Sequence, residues 1–204
     1  MVTSGQDQEQ YFDATPSTPS DPATVELILP DLAATLTTDS GVFGKHRIDA
    51  GTKLLLLDGP DPNPADRELL DLGAGYGPIA IALATRNPAA TVWAVEVNGR
   101  ARDLCTANAA AAGLGNIRVV APEDVPDDVR FDRIWSNPPI RIGKATLHQL
   151  LTRWLNRLAD NGSAHLVVQK HLGADSLHRW LDDSGWPTTR RGSRAGYRLL
   201  DVTR

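Results

Sequence analysis

From residue 67 onward, strand-like and helix-like segments alternate regularly, and this alternation constrains the fold more than any other feature. Short apolar runs predict buried strands, and the longer segments between them have helical periodicity. In chain order the segments are RELLDLG, GPIAIALATRNP, TVWAVEV, GRARDLCTANAAAAG, NIRVVAP, FDRIWSNPP, KATLHQLLTRWLNRLADNG, SAHLVVQK and ADSLHRWLDDSG. Strands that alternate with helices make right-handed crossovers. We therefore expect an α/β fold, with a mostly parallel sheet and helices on both of its faces.

The end of the chain departs from this alternation. The segment WPTTRRGSRAGYRLLDVTR contains two strand-like pieces with too few residues between them for a helix, so we expect an antiparallel hairpin. In the long helix-like segment 144–162, one apolar face is predicted. Its members are Leu147, Leu150, Leu151, Trp154, Leu155 and Leu158.

The chain divides into three parts. Residues 1–22 are polar and contain three prolines, which predicts a disordered tail. Residues 23–60 predict a short β-rich lead-in, with β segments on either side of the Pro30-Asp31 break. A proline-rich joint, DGPDPNPAD, then leads into the main domain, which we place at residues 61–204.

Composition and charge limit the classes of function. A chain of 204 residues, 41% of them hydrophobic, suits one domain with a sizeable core. No apolar run is long enough to span a membrane, and the N-terminus lacks a signal-peptide pattern. The lone Cys105 excludes an internal disulfide, and the histidines show no ligand spacing, so we expect no metal and a cytoplasmic location. The net charge of -4 argues against nucleic-acid binding over the whole surface, but allows a local basic rim.

A glycine-rich loop, DLGAGYGP, joins the first core strand to its helix. Gly73, Gly75 and Gly77 allow positive φ angles and let a ligand approach the backbone. The loop follows the carboxyl end of a strand, where open α/β sheets bind ligands, and helix N-terminal amides there attract an anion. The simplest alternative is a plain strand–helix turn without a ligand.

A dinucleotide-binding loop is the main rival, and the glycine spacing argues against it. That fingerprint has glycine at the first, third and sixth places, but here the sixth place is Pro78 and the last glycine comes one position early. Asp71 stands just before the first glycine, where a carboxylate suits a ligand amine and is badly placed beside a pyrophosphate. The loop therefore predicts a ligand with an amine and a carboxylate at one end.

A second acidic residue, Glu96, ends the next strand. A carboxylate at this position can accept hydrogen bonds from both hydroxyls of a ribose, and an amino-acid head plus a ribose describes S-adenosylmethionine (SAM). Asp124, after the third strand, is predicted to accept a bond from the adenine amino group, although any acid of the loop PEDVPDD could simply be solvated. Ala74 and Val97, beside these residues, complete the predicted cofactor set.

The stretch SNPPIRIGK ends a further strand at the same edge of the sheet. Its two prolines restrict the turn, so that the Asn137 amide and the Pro138 carbonyl are predicted to project as acceptors. Two acceptors match the two N–H bonds of an amino group and would aim the nitrogen lone pair at a methyl donor. We therefore predict that both residues are catalytic and that Asn137 also contacts the cofactor. The alternative is a proline-rich strand end.

Taken together, these residues resemble a known family. The stretches DLGAGYGPIAIALA, AVEVN, NAAAAGL and SNPPIRIGK, preceded by GVFGKHRIDAGTKLLL, are similar to class I SAM-dependent methyltransferases of the "methyltransferase small" family. Its best-known members are small-subunit ribosomal RNA guanine-N2 methyltransferases. The resemblance implies a Rossmann-like seven-stranded sheet with an antiparallel last strand, and a lead-in that covers the cofactor. It also implies that Asp71, Gly73, Gly75 and Glu96 contact SAM.

Two departures from the family pattern affect the substrate. Family members often carry an aromatic residue after Asn-Pro-Pro, but here Ile140 follows. The best-known members also have an extra N-terminal domain, which we do not expect in this chain. Contact with the substrate is therefore assigned to residues that flank the inferred crevice, namely Pro139, Ile140, Arg141, Lys144, Lys45 and Arg47.

The resulting prediction is a SAM-dependent N-methyltransferase. The resemblance implies a guanine exocyclic amine in 16S ribosomal RNA as acceptor, with ribosomal RNA or the small subunit as partner and no membrane partner. Three alternatives remain open: an amide or adenine N-methyltransferase that acts on protein or other RNA, a methyltransferase with a small-molecule acceptor, which the net charge of -4 allows, and a non-catalytic RNA-binding protein of the same fold.

Overall fold

A seven-stranded sheet forms the centre of the molecule in a computed structural model that describes residues 18–204. The strands of the described chain are β1 (Ala23–Ile28), β2 (Ala33–Thr38), β3 (Glu68–Leu72), β4 (Thr91–Val95), β5 (Ile117–Val120), β6 (Phe131–Ser136), β7 (Leu158–Gln169), β8 (Thr188–Arg194) and β9 (Tyr197–Thr203). The sheet order is β5-β4-β3-β6-β7-β9-β8, and β9 runs antiparallel to both of its neighbours. These observations confirm the predicted fold class and the terminal hairpin.

Helices cover both faces of this sheet. They are α1 (Ala50–Asp58), α2 (Pro78–Arg86), α3 (Gly99–Ala111), α4 (Lys144–Leu155) and α5 (Ala174–Asp183), with short 3₁₀ turns at Ile140–Ile142 and Lys170–Leu172. Local sequence explains where they begin: Asp49 and Asn98 cap α1 and α3 through their side chains, and Pro78 occupies the first turn of α2.

The sheet separates two hydrophobic cores. Successive residues of a strand point to opposite faces, so Leu69 packs into one core and Leu70 into the other, and both are fully buried. This two-sided burial is typical of parallel strands and explains why the strands read as short apolar runs rather than as alternating patterns.

The strand order places a crevice at one edge of the sheet. β4 lies on one side of β3 and β6 lies on the other. The order in which strands are added to the sheet therefore reverses between β3 and β6, although the strands stay parallel. Open α/β sheets bind ligands at such switch points, at the carboxyl ends of the strands. The glycine loop, Glu96 and the Asn-Pro-Pro turn all follow these ends.

The lead-in, residues 23–60, contains more than β structure. β1 and β2 form the expected antiparallel hairpin, with a turn from Leu29 to Leu32 that encloses the Pro30-Asp31 break. The nine-residue helix α1, which the sequence analysis did not predict, then follows. Four consecutive leucines, Leu54 to Leu57, make its last turn largely apolar, and this run precedes the proline-rich joint without a clear helical periodicity.

The helix predicted over residues 144–162 is too long. α4 ends at Leu155, and Leu158 is the first residue of β7, where it pairs with Phe131 of β6. Leu158 was therefore wrongly placed on the helix face. Its spacing continued the helical pattern by chance, because a fully buried strand residue is as apolar as a core-facing helix residue.

The predicted tail, residues 1–22, lies mostly outside the described residues. Of its described part, Ser20 and Asp21 donate hydrogen bonds to the Asp39 carboxylate, through the hydroxyl and the backbone amide respectively. In the described chain, no helix is long and apolar enough to cross a bilayer.

Candidate active site

A cavity of about 470 Å³ lies at the carboxyl edge of the sheet, and most of the predicted site residues line it. The lead-in, the glycine loop, the ends of β4 and β6, and the start of β9 all contribute to its wall. The predicted residues in this wall are Gly73, Ala74, Gly75, Glu96, Val97, Asn137, Pro138, Pro139, Ile140 and Arg141. A cofactor site and an acceptor site predicted from separate motifs therefore share one cavity.

The glycine loop has the conformation that its composition predicts. Gly73, Gly75 and Gly77 have φ angles of 78°, 56° and 97°, a region that residues with side chains rarely occupy. A Cβ atom at Gly77 would lie 2.6 Å from the Cys105 sulfur, so this glycine also permits close packing of the loop on α3. Burial raises the pKa of Cys105 and keeps its thiol protonated, consistent with a packing role.

Most amides of this loop already donate within the protein. The Gly73 and Ala74 amides donate to the Val95 carbonyl, and the Gly77 amide donates to Ala74. The Gly75 amide donates to the Glu96 carboxylate at 2.9 Å. These bonds fix the loop against the end of β4, so the loop holds its shape without a ligand, and fewer of its amides are available to an anion than the sequence suggested.

Glu96 lies at the centre of these contacts. One carboxylate oxygen accepts from Gly75, and the other accepts from the Asn98 amide at 2.9 Å. The side chain is buried but lines the cavity, and burial raises the pKa of the carboxyl group. Each carboxylate oxygen keeps further acceptor capacity, because a carboxylate offers about four lone-pair sites. Glu96 can therefore bind ligand hydroxyls while it holds the loop.

Asp71 lies beneath the loop and is fully buried, outside the cavity wall. One of its oxygens accepts from the Ala80 amide in the first turn of α2, and the other has no partner within the described residues. Burial, with a smaller contribution from the nearby Glu96 charge, raises the pKa of Asp71 to about 8. The direct contact with a ligand amine therefore stays a prediction, while the structure gives Asp71 a role in joining β3 to α2.

The Asn-Pro-Pro turn is tight. Pro139 has φ -73° and ψ 74°, and the Ile140 amide donates to the Pro138 carbonyl at 2.8 Å, which together form an inverse γ-turn. The Pro138 carbonyl, predicted as a free acceptor, thus already accepts one hydrogen bond inside the turn. A carbonyl oxygen has a second lone pair, so it can still accept from a ligand.

The Asn137 side chain reaches across to the start of α1. Its amide nitrogen donates to the Asp49 carboxylate at 2.7 Å and to the Thr52 hydroxyl at 3.1 Å. Both N–H bonds of the amide are therefore used, and within residues 18–204 its oxygen has no donor. All three residues line the cavity, so the Asn137 oxygen is the acceptor that this group can offer to a ligand.

Six predicted site residues do not line the cavity. Asp124 is exposed on the turn after β5, and Lys45 is ion-paired with Asp21. Arg47 and Lys144 are exposed and lie close in sequence to residues of the cavity wall. Arg47 is near the end of the lead-in loop, and Lys144 is the first residue of α4. The complete set is Asp71, Gly77, Asp124, Lys45, Arg47 and Lys144. Their proposed contacts with cofactor or substrate remain predictions.

Several cavity residues were missed. Asp49 and Thr52 were detectable in part, because an aspartate before an apolar helical run is an N-cap signal. Phe43 and Gly44 of the lead-in also lie in the wall, within the stretch GVFGKHRIDAGTKLLL, which indicates the family but does not by itself predict these contacts. Tyr197, at the start of β9, carries no local signal at all, because only the sheet order brings it to the cavity.

A hydrogen-bonded Ser163–His165–Asp201 chain lies elsewhere in the sheet. The His165 ring contacts Ser163 at 3.0 Å and Asp201 at 2.8 Å, and burial lowers the pKa of His165. None of these residues lines the cavity, and His165 packs beside Trp135 within the core. Ser163 and His165 are buried and Asp201 is partly buried, so this hydrogen-bonded group is assigned a structural role that joins β7 to β9. No cluster of potential metal ligands occurs in the described residues.

The cavity fits the predicted cofactor. A Cβ atom built on Gly73 or Gly75 would meet no atom within 4 Å, so the loop leaves open space beside its backbone. The buried Glu96 carboxylate at the wall supplies the acceptors that ribose hydroxyls require. The described residues thus leave space for a ligand beside the loop and supply acceptors for its ribose, while the contacts of an amino-acid head stay a prediction.

Known proteins resemble this chain in sequence. The sequence model described as the methyltransferase small domain matches residues 33–199. The uncharacterized protein YbxB of Bacillus subtilis (strain 168) is 34% identical over 178 residues, 86% of this chain and 88% of that protein. The ribosomal RNA small subunit methyltransferase C of Shewanella halifaxensis (strain HAW-EB4) is 33% identical over 152 residues, 72% of this chain and 43% of that protein.

A solved structure extends the likeness to three dimensions. The 16S rRNA N2 methyltransferase RsmC of T. thermophilus, in complex with AdoMet and guanosine, superposes with a TM-score of 0.78 at 25% identity, covering 93% of this chain and 52% of that chain. This chain spans about half the length, or less, of these two ribosomal RNA methyltransferases. Since the family model covers most of the sequence, the chain belongs to the methyltransferase small domain family and is an S-adenosylmethionine-dependent methyltransferase.

Proposed function

We propose that this protein methylates an exocyclic amine of a nucleobase, the guanine N2 amine of 16S ribosomal RNA. In this proposal Asn137 and Pro138 hold the amine. The cofactor contacts residues of the glycine loop and the end of β4, namely Gly73, Ala74, Gly75, Glu96, Val97 and the adjoining Asn137. Ribosomal RNA as substrate would place the protein in the cytoplasm, which remains a prediction.

The observation that carries the proposal is the state of the Asn137 amide. Its nitrogen is fully engaged by Asp49 and Thr52, so its oxygen is left as an acceptor in the cavity that Glu96 and the glycine loop also line. An acceptor in this place suits a group that carries N–H bonds. A thiol, a carboxylate or a carbon nucleophile would gain little from it.

The chemistry assigned to these residues is mainly positioning. When bound, SAM supplies an electrophilic methyl group. The nitrogen of an exocyclic amine is a weak nucleophile, because its lone pair is delocalised into the ring. Asn137 and the remaining capacity of the Pro138 carbonyl hold its hydrogens, direct the lone pair and favour the positive charge that develops on nitrogen. The proton leaves afterwards to water, so no strong general base is required.

Two wall residues, Ile140 and Tyr197, can pack against a flat substrate. Ile140 occupies the position after Asn-Pro-Pro and lines the cavity, and Tyr197 lines it as well. Tyr197 thereby brings into the cavity an aromatic ring, which position 140 lacks. Burial and the nearby Asp49 charge raise the pKa of Tyr197, so its ring stays neutral at physiological pH. The likeness to RsmC, whose solved structure contains guanosine, favours guanine among flat bases.

Contact with RNA outside the cavity is assigned to a few cations. Arg141 is exposed and lies in the cavity wall, and Lys144 is exposed three residues further on, where α4 begins. Arg47 is exposed at the end of the lead-in loop. Lys45 is already paired with Asp21, so it is the weakest member of the predicted set. Such contacts position RNA through phosphates and are sensitive to salt.

Methyl transfer from labelled SAM tests this proposal. The purified protein is incubated separately with deproteinised 16S ribosomal RNA, intact small subunits and free ribosomal proteins, each prepared from cells that lack this protein. We expect label in RNA, and nucleoside digestion should release it as N2-methylguanosine. Label in protein, or in N6-methyladenosine, would replace guanine with one of the alternative acceptors. Binding of SAM without transfer to any of these would support the non-catalytic alternative.

A further inference from the structure

We propose that Asp49 and Thr52 are positioning residues that determine which way the Asn137 amide faces. This inference rests on the proposed function, because it concerns how the acceptor residue is prepared for an amine. It also gives a role to the stretch IDAGTKLLL, which lies about 85 positions before the Asn-Pro-Pro turn in the chain.

Only one orientation of the amide is compatible with its surroundings. As placed, the two N–H bonds of Asn137 meet a carboxylate oxygen at 2.7 Å and a hydroxyl oxygen at 3.1 Å. A 180° rotation would place the amide oxygen against the Asp49 carboxylate, which has no hydrogen to donate. It would also present N–H bonds to an incoming amine, and two sets of donors would then face each other.

Asp49 is itself held rigidly. The same oxygen that accepts from Asn137 also accepts from the backbone amides of Gly51 and Thr52, at 2.8 and 3.1 Å, as the N-cap of α1. Gly51 allows the Tyr197 ring to pack closely, because a Cβ atom there would lie 2.7 Å from the ring. The cap hydrogen bonds and the Tyr197 ring thus hold the start of α1 in place. Asn137 is hydrogen-bonded to this fixed segment, so its side chain is held as well.

The alternative role for these contacts is purely structural, that is, attachment of α1 to the sheet. Two substitutions separate the roles. Asp49→Asn keeps an equally good helix cap, but its neutral amide oxygen accepts from Asn137 more weakly than a carboxylate does, so the Asn137 amide is held less firmly in its orientation. Thr52→Val keeps the shape of the side chain and removes one acceptor, while Thr52→Ser keeps the hydroxyl and serves as the matched control.

The first experiment needs no substrate. Protein labelled with ¹⁵N-asparagine is examined by NMR, and the Asn137 side-chain signals are assigned by their loss in Asn137→Ala. We expect these hydrogens to exchange with water at least about 10-fold more slowly than those of the exposed Asn161. Thr52→Val should speed the exchange and Thr52→Ser should restore it. Exchange as fast as that of Asn161 in the unmodified protein would overturn the proposal.

The second experiment measures methyl transfer to small subunits or 16S ribosomal RNA, with SAM affinity measured by calorimetry. Asp49→Asn and Thr52→Val should each lower kcat about 10-fold, with the SAM dissociation constant within about 2-fold of the original. Thr52→Ser should behave like the original protein. Unchanged kcat in both of the first two variants, or an equal loss of SAM affinity, would contradict a positioning role. Absence of transfer by the original protein would instead contradict the proposed function and would leave the NMR result as the deciding test.

Discussion

The two halves of the cavity are built in different ways. The cofactor half is made by neighbouring segments, in which the glycine loop is tied to the end of β4 by backbone amides and by Glu96, 21 positions from Gly75. The acceptor half depends on side chains from distant segments, since Asn137 contacts Asp49 and Thr52 across 88 and 85 positions. The first is therefore stable wherever its strands pair, whereas the second exists only when the lead-in docks on the sheet. This difference predicts that the two halves can be damaged separately.

Substitution of Asn137 by alanine should separate them most strongly. It removes the acceptor and only one of the proposed cofactor contacts, and it leaves the glycine loop and Glu96 untouched, so turnover should fall about 100- to 1,000-fold while SAM affinity changes much less. Methyl transfer and calorimetry on the same preparation provide the measurements. A comparable loss of SAM affinity would show that the two halves are coupled and would break the comparison.

Glu96→Gln should have the converse effect. The amide keeps the volume, but it offers one acceptor to Gly75 and Asn98 where the carboxylate offers two, and it weakens bonds to ligand hydroxyls. The SAM dissociation constant should rise about 10- to 100-fold. With SAM at saturation, kcat should stay within about 2-fold of the original. If kcat falls to the level of Asn137→Ala despite saturation, Glu96 also contributes to the acceptor half.

Replacement of Tyr197 by leucine tests whether the acceptor half binds a flat base. Loss of the ring should raise KM for RNA about 10-fold, since stacking of one base on an aromatic ring is worth about 1–3 kcal/mol. Tyr197→Phe is the control, because it keeps the ring and loses only the hydroxyl. An equal effect of both substitutions would assign the contribution to the hydroxyl group instead.

Asp71→Asn should have the smallest effect on activity and a specific effect on stability. Burial raises the pKa of Asp71 to about 8 in the folded protein from its ordinary value of 3.8, so between these pH values the folded chain holds a proton that the unfolded chain releases. This contribution to the free energy of unfolding therefore decreases as pH rises from about 4 to about 8. Denaturant titrations across this range should show a shallower decrease in Asp71→Asn.

Parallel slopes in the two proteins would contradict the buried, protonated state of Asp71. Calorimetry on Asp71→Asn and Asp71→Ala gives a second result. Loss of SAM affinity in both variants would support the direct contact with a ligand amine that the sequence predicts. Retention in Asp71→Asn, which can still accept from the Ala80 amide, would support the role beneath the loop.

The sequence predicted the location of the site best for residues that directly follow a β-strand. The glycine loop, Glu96 and Asn137 each follow a recognisable strand, and parallel strands bring their carboxyl ends to one edge whatever the details of packing. Their common location could therefore be predicted without coordinates. The direction of the Asn137 amide could not, because it depends on how a helix from another part of the chain packs against the turn.

The error at Leu158 and two long-range contacts that the sequence did not reveal have the same origin. Leu158 continued a helical spacing, and only its pairing with Phe131 shows that it begins a strand. Lys45 looked like a free cation in the sequence, but it forms an ion pair with Asp21, a residue of the predicted tail. Tyr197 lies in the cavity because β9 inserts beside β7, and no local pattern records that arrangement. In each case a long-range contact gives the residue its role.

The occupied nitrogen of Asn137 has a consequence for how many times one substrate can react. The Asn-Pro-Pro turn offers only acceptors, so it can bind an amine only through the N–H hydrogens of the amine. Each methyl group that is added replaces one of these hydrogens. A primary amine has two N–H bonds, the monomethylated product has one, and a dimethylated product has none. Binding of the amine to the turn therefore weakens with each methyl transfer, and this weakening favours release of the methylated product.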